Sequence, residues 1–255
     1  MILRALVLLL VLCAAARAEP PPAGRRSGYE FMGPGTRAMQ DDDASNPAML
    51  WVLDGEALWR ARAGASGKAC ADCHGDAATS MKGVAARYPA YDSARKALID
   101  LDQRVNLCRT AQQNAPAFEP ESRELLALSA FIGRQSRGMP IDIAVPGEAQ
   151  PLLEAGRAAF GRRQGQLNLA CTQCHDRLAG EKLAGNPIPQ AHPTGYPIYR
   201  LEWQGLGSLQ RRLRNCMIGV RAEPYAYGAP EFVELEYYLM WRARGMKVET
   251  PAVRP

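Results

Sequence analysis

Aromatic side chains are scarce: Phe, Trp and Tyr make up 7% of the 255 residues. Histidine is scarcer still, with three in the whole chain. Rings cannot be the main filler of the core, so Ala and Leu must share it with some other large apolar group. The 31 basic and 26 acidic residues are spread along the chain and leave a net charge of +5. There is no concentrated basic stripe, which argues against nucleic acid as a partner; small anions and an acidic protein surface remain compatible. Sustained apolar/polar alternation is also missing, so the pattern predicts a mainly α fold. No apolar run is long enough for a permanent membrane span. With 47% hydrophobic and 22% charged residues, the chain is neither disordered nor collagen-like, and its length fits one large domain or two small ones.

What is present begins with a leader. Met1-Ile-Leu-Arg4 precedes an apolar run from Ala5 to Ala16, and Ala16-Arg17-Ala18 precedes Glu19. A basic start, a short apolar stretch and an Ala-x-Ala site predict a signal peptide over 1–18 and export to the periplasm. Cys13 falls inside it and reads as apolar filler lost on cleavage. Residues 19–46 read as an N-terminal arm.

Six cysteines remain: Cys70, Cys73, Cys108, Cys171, Cys174 and Cys216. An even number in an exported chain ordinarily means disulfides. Here four of them form Cys70-Ala-Asp-Cys73-His74 and Cys171-Thr-Gln-Cys174-His175, and Cys-x-x-Cys-His is the attachment signal of c-type haem. Two thiols about one helical turn apart add to the two vinyl groups, and the adjacent imidazole reaches the iron. A zinc or redox pair is the alternative for a single motif; two motifs in an exported chain favour two covalent haem c groups. The macrocycles would also supply the missing filler.

The motifs belong to an internal repeat. Gly55-Glu-Ala-Leu-Trp59 parallels Gly156-Arg-Ala-Ala-Phe160 before them. Leu101-Asp-Gln-Arg104-Val-Asn-Leu-Cys108 aligns without gaps with Leu209-Gln-Arg-Arg212-Leu-Arg-Asn-Cys216 after them. Helical segments follow at 122–132 and 231–241, ending on Arg137-Gly-Met139 and Arg244-Gly-Met246. Pro140 and Pro146 punctuate a boundary. The expected architecture is two tandem cytochrome c-like haem domains, 47–145 and 146–255.

His74 and His175 each fill one axial position. For the other, Met139 is a rival at the first haem, and His192 is the only spare histidine. Cys108 and Cys216 are the ligand type repeated in register, which favours thiolates on both irons. Two buried free thiols or a Cys108–Cys216 disulfide are the bland alternatives. Arg212, one helical turn before Cys216, would attract anions and acidify the thiol. Arg104 repeats that offset, so pairing of both arginines with haem propionates stays open. Arg211, Arg214 and Arg221 read as a solvated basic face.

Two haem-c motifs each trailed by a Cys, with Gly195-Tyr-Pro-Ile-Tyr-Arg-Leu-Glu-Trp-Gln204 leading into Leu209–Met217, resemble the SoxA family of bacterial thiosulfate oxidation. Gly133-Arg-Gln-Ser-Arg-Gly-Met-Pro140 and Glu249-Thr-Pro-Ala-Val-Arg-Pro255 extend the resemblance over essentially the whole mature chain. It implies an L-cysteine S-thiosulfotransferase that joins thiosulfate to a cysteine of the SoxY carrier in SoxYZ. Electrons leave to a cytochrome c, and a SoxX-like cytochrome is the partner subunit. It implies further that Cys216 is the catalytic sulfur, able to carry a persulfide, and that Arg212 contacts substrate. Some members lack the first haem motif; this chain keeps it, with Cys108 as the matching ligand. A dihaem electron carrier without bond-making chemistry is the alternative function, and a dihaem peroxidase ranks behind it.

Overall fold

The structure, a computed structural model, describes residues 24–255. The predicted leader, with Cys13, lies outside the described residues. The first half runs through helices α1 (Pro34–Asp41), α2 (Met49–Arg60), α3 (Cys70–His74) and α4 (Ala77–Ser80). The hairpin β1 (Ala90–Asp92) and β2 (Ala97–Ile99) leads into α5 (Leu101–Gln113) and α6 (Arg123–Arg134). The second half holds α7 (Gln150–Gly161), short strands β3 (Lys182–Leu183) and β4 (Asn186–Pro187), and a hairpin of β5 (Ile198–Arg200) and β6 (Gly205–Gly207). It closes with α8 (Leu209–Gly219), α9 (Pro230–Arg242) and β7 (Ala252–Arg254).

The repeat is a repeat of backbone geometry. In each half the helix before the haem motif crosses the helix that closes the half, α2 on α6 and α7 on α9. Glycine sits at both crossings because the partner backbone comes too close for a side chain. A Cβ at Gly55 would stand 2.1 Å from Ala127 O, and one at Gly156 2.1 Å from Glu234 O. Between motif and distal cysteine the correspondence is closer than the sequence alignment alone reveals. Cis Tyr88-Pro89 matches cis Tyr196-Pro197. The β1–β2 register, Ala90↔Ile99 to Asp92↔Ala97, matches the β5–β6 register, Ile198↔Gly207 to Arg200↔Gly205. Asp100 then caps α5 by accepting from Gln103 N, and Ser208 caps α8 by accepting from Arg211 N. Identical start positions place Cys108 and Cys216 at the same point of their helices.

Two cores result, one around Trp59, Leu126 and Phe131, the other around Leu153, Phe160, Tyr237 and Leu239. Each such side chain removed from water contributes roughly 1.5–3 kcal/mol. The cores are not separate. Tyr199, Leu206 and Val253, from the sheet of the second half, belong to the first cluster. The ends of the repeats also pair with each other through an antiparallel bridge, Pro140↔Lys247. Between the halves, Asp100 accepts from Gln210 Nε2 at 2.9 Å, while Gly228 N donates to Gln210 Oε1 and Gln103 Nε2 donates to Gly228 O. A cavity of about 700 Å³ lies against this network.

The segment leading into α2 is built into the structure more firmly than a surface arm. Gln40 is buried, its Oε1 accepts from Val253 N, and Asn46 Nδ2 donates to Pro251 O. The three-stranded sheet β6-β5-β7 and the hairpins are the elements that a search for alternation overlooks. Their strands are two or three residues long, too short to show a period.

Candidate functional site

The first motif forms the short helix α3, whose Asp72 carboxylate accepts from Ala69 N at 3.0 Å. Trp59, at the end of α2, donates from Nε1 to Gly75 O and sets its ring 5.6 Å from the His74 ring. Cys73 and His74 are exposed, while burial raises the Cys70 thiol, with the nearby Cys108 adding to the effect. Cys70 and Cys108 thus face one region from opposite elements. Arg104 has partners of its own: its Nε donates to Tyr88 Oη at 3.2 Å, and its Nη2 pairs with Asp92 at 3.1 Å.

The second motif enters a wide π-type turn, Gln173–Arg177. His175 Nδ1–H donates to Pro189 O at 2.7 Å. This bond fixes the tautomer and leaves Nε2 for the other side of the ring. There the imidazole is hydrogen-bonded with Cys216 of α8. Burial alone would push the Cys216 thiol up. The bond with His175 and the positive charges of Arg212 and Arg200 outweigh it, and the thiol lies below its ordinary value. Cys171 goes the other way, pushed up to about 11 by burial and by the neighbouring Cys216.

All six thiols among the described residues are free, so a Cys108–Cys216 disulfide is not formed. The donor set fits haem c: in the second half two motif thiols, an imidazole with an oriented Nε2 and a facing thiol share one region. Met139 lies against Gly83 in the loop after the first motif. His192 is a buried structural residue whose Nδ1 bonds Arg26 O at 2.9 Å.

The basic run before Cys216 divides. Arg211 approaches Glu121 at 3.9 Å and stacks on Trp203. Arg214 bonds Tyr225 O and lies over Tyr227. Among the described residues the Arg212 side chain makes no ion pair or hydrogen bond, so its charge is available beside Cys216. Arg200, at the end of β5, joins it there. Sequence reasoning missed Arg200. The signal that finds it is the repeated Tyr-Pro-x-Tyr, at Tyr88–Tyr91 and Tyr196–Tyr199.

Comparison with known proteins places these features. A profile described as the SoxA/TsdA cytochrome c domain matches residues 54–141 and again 155–248. The L-cysteine S-thiosulfotransferase subunit SoxA of Rhodovulum sulfidophilum is 38% identical over 229 residues, 90% of this chain and 80% of that protein. The subunit of the same name from Pseudaminobacter salicylatoxidans is 37% identical over 246 residues, 96% of this chain and 86% of its own. A chain of the SoxXA crystal structure from Paracoccus pantotrophus superposes with a TM-score of 0.87 at 33% identity, covering 91% of this chain and 87% of that one.

Proposed function

Because this chain belongs to the SoxA family of cytochromes with covalently bound haem c, we propose that it is the dihaem subunit of an L-cysteine S-thiosulfotransferase. Two cytochrome c-like units, 47–145 and 146–255, would hold one haem each. Cys70, Cys73, His74 and Cys108 would serve the first. Cys171, Cys174, His175 and Cys216 would serve the second. A SoxX-like cytochrome subunit completes the enzyme and a SoxYZ-like carrier supplies the acceptor cysteine. The place of action is the periplasm, reached by way of the leader; no helix among the described residues is long and apolar enough to cross a membrane.

In the reaction, a carrier thiol and thiosulfate become a carrier–S–S–SO3⁻ conjugate. One S–S bond forms, one proton and two electrons leave, and the electrons end on oxidised cytochrome c. Haem supplies one-electron acceptor chemistry beside the reacting sulfur. The chain's own residues bring the anion and the sulfur together. Arg212 offers an unpaired guanidinium to the dianion, and the same charge favours the Cys216 thiolate. The observation that carries the reading is this contrast: Arg212, whose charge acts on Cys216, has no ion-pair partner among the described residues, whereas Arg104, the counterpart before Cys108, is paired with Asp92.

Mass spectrometry of the carrier cysteine, after incubation with thiosulfate, the SoxX-like subunit and oxidised cytochrome c, tests it. Cys216→Ala should abolish the conjugate. Arg212→Ala should reduce its rate by about 10–100-fold, the worth of one charge-assisted hydrogen bond. Cys108→Ala should alter the first haem's spectrum and keep much of the activity. Full activity in Cys216→Ala leaves only electron transfer as the function, and equal losses in folded, haem-loaded Cys108→Ala and Cys216→Ala remove the division of labour.

A further inference from the structure

The stretch from the cis Tyr-Pro bond to the distal cysteine is the same object in both halves. Strand, turn, strand, cap and helix coincide residue for residue between 88–108 and 196–216. One position within it carries opposite charge. The last residue of β1 is Asp92, paired across the hairpin with Ala97; the last residue of β5 is Arg200, paired with Gly205. Each stands at the same place relative to the arginine four residues before the cysteine. In the first half the consequence is an ion pair, Asp92 Oδ2 to Arg104 Nη2 at 3.1 Å. In the second half the position of Asp92 is taken by an arginine, whose charge reaches that of Arg212.

We propose that this Asp92/Arg200 exchange decides which half binds the anion, with Arg200 and Arg212 forming a two-guanidinium site for thiosulfate beside Cys216. The inference rests on the proposed function and adds the residue that recognises the dianion. Two like charges whose fields overlap are unfavourable without an anion between them, and among the described residues Arg212 has no ion-pair partner where Arg104 has Asp92. Arg200 is half-buried. Its Nε pairs with Glu202 Oε1 at 2.8 Å, without hydrogen-bond geometry, and that carboxylate is about half exposed and so partly screened. The Trp203 ring lies 5.3 Å from its guanidinium carbon. The other titratable groups whose charge it meets are Arg212, Tyr196 and Cys216. Glu202 engages only the Nε edge of Arg200, and among the described residues no carboxylate pairs with Arg212, so a dianion is the partner that the Arg212 side of this pair lacks. The guanidinium fork suits the oxygens of a sulfonate-like group, which would leave the outer sulfur of thiosulfate free to face Cys216.

The test uses the haem-loaded protein with its SoxX-like partner, with thiosulfate itself as the probe. Arg200→Gln should raise the KM for thiosulfate about 10–100-fold, with a much smaller effect on kcat. Arg200→Asp should reproduce the first half's ion pair and raise KM by more than that. Arg200→Lys should recover part of the loss, because it keeps the charge without the fork. Calorimetric titration of the oxidised protein with thiosulfate, which needs no carrier and no turnover, should show the same order of affinities. Asp92→Asn serves as the control and should leave the KM for thiosulfate unchanged. Unaltered KM and unaltered thiosulfate affinity in Arg200→Gln would overturn the proposal. So would a change confined to the second haem's spectrum or retention, which assigns Arg200 to a propionate, and so would equal KM shifts in Asp92→Asn and Arg200→Gln. Absence of carrier conjugation in the unmutated protein, by contrast, overturns the transferase reading itself.

Discussion

The glycine at each helix crossing supports a prediction with opposite signs in a single helix. A methyl group on Gly156 would stand 2.1 Å from Glu234 O and 2.9 Å from Tyr238 Cβ. Ordinary carbon–oxygen contact begins near 3.3 Å, so α7 and α9 must separate by about 1 Å. The obstructing atom is the backbone of a packed helix, which cannot swing aside. Overpacking of this kind costs about 1–3 kcal/mol. Alanine's better helix propensity returns up to about 1 kcal/mol. The net expectation for Gly156→Ala is a loss of about 1–2 kcal/mol, equivalent to roughly 2–8 °C in a chain of this length. Gly161, the last residue of the same helix, has no atom within 4 Å of its Cβ position. Gly161→Ala should therefore be neutral or stabilising by up to about 1 kcal/mol. Urea unfolding followed by helical circular dichroism, with m unchanged, measures both. Stability of Gly156→Ala within about 0.5 kcal/mol of the parent would refute the close-crossing argument, and Gly55→Ala offers the same test in the other half.

Acid stability offers a second test, at the carboxyl cluster between the halves. Burial pushes Asp102 up to about 7 and Asp100 up to about 6, and raises Glu236 well above the carboxylate range. Unfolded carboxyls titrate near pH 4, so between about pH 4 and 7 the folded chain binds the extra protons. Their contribution is complete below that window and is lost as pH rises through it. Asp102→Asn, which can still accept from Ser129, should gain on the parent steadily across the window in pH-dependent denaturation; a constant difference would refute the buried-acid reading. For the haems, denaturing electrophoresis with haem-peroxidase staining should keep colour on the polypeptide, and Cys171→Ala/Cys174→Ala should halve the haem per chain. Low-temperature electron paramagnetic resonance should show low-spin ferric signals of the His/thiolate type. A methionine–iron charge-transfer band that disappears in Met139→Leu would instead assign Met139 to the first haem.

The residues proposed to carry chemistry were legible because they recur. Both haem motifs, both distal cysteines and the arginine one turn before each could be read from spacing, as could the mainly α fold. The hairpins before α5 and α8 could not, because two or three residues per strand carry no period. Arg200 escaped for that reason: its meaning comes from the strand register that makes it the counterpart of Asp92, and the linear alignment began only at Leu101 and Leu209. The buried carboxyls escaped for a different one. Asp100 reads as an ordinary helix cap, and only the docking of α9 across it brings Glu236 close. Gln40 and Arg254 are buried and bonded to each other across the whole length of the chain, a pairing that composition cannot anticipate.

The strand β7 has a consequence for maturation. Val253 is fully buried in the core that surrounds the first haem motif, while its strand runs parallel to β5 and is held by Gln40. A chain delivered from its N-terminal end presents Cys70 and Cys73 long before residue 253 arrives. Until then the wall behind α2 is incomplete, and the first haem compartment stays open to whatever enzyme attaches the cofactor. The second compartment, nearer the end, has far less time. If the chain is exported and carries two haems as proposed, the order of delivery favours filling the first before the second, and the last strand closes the core around the first motif.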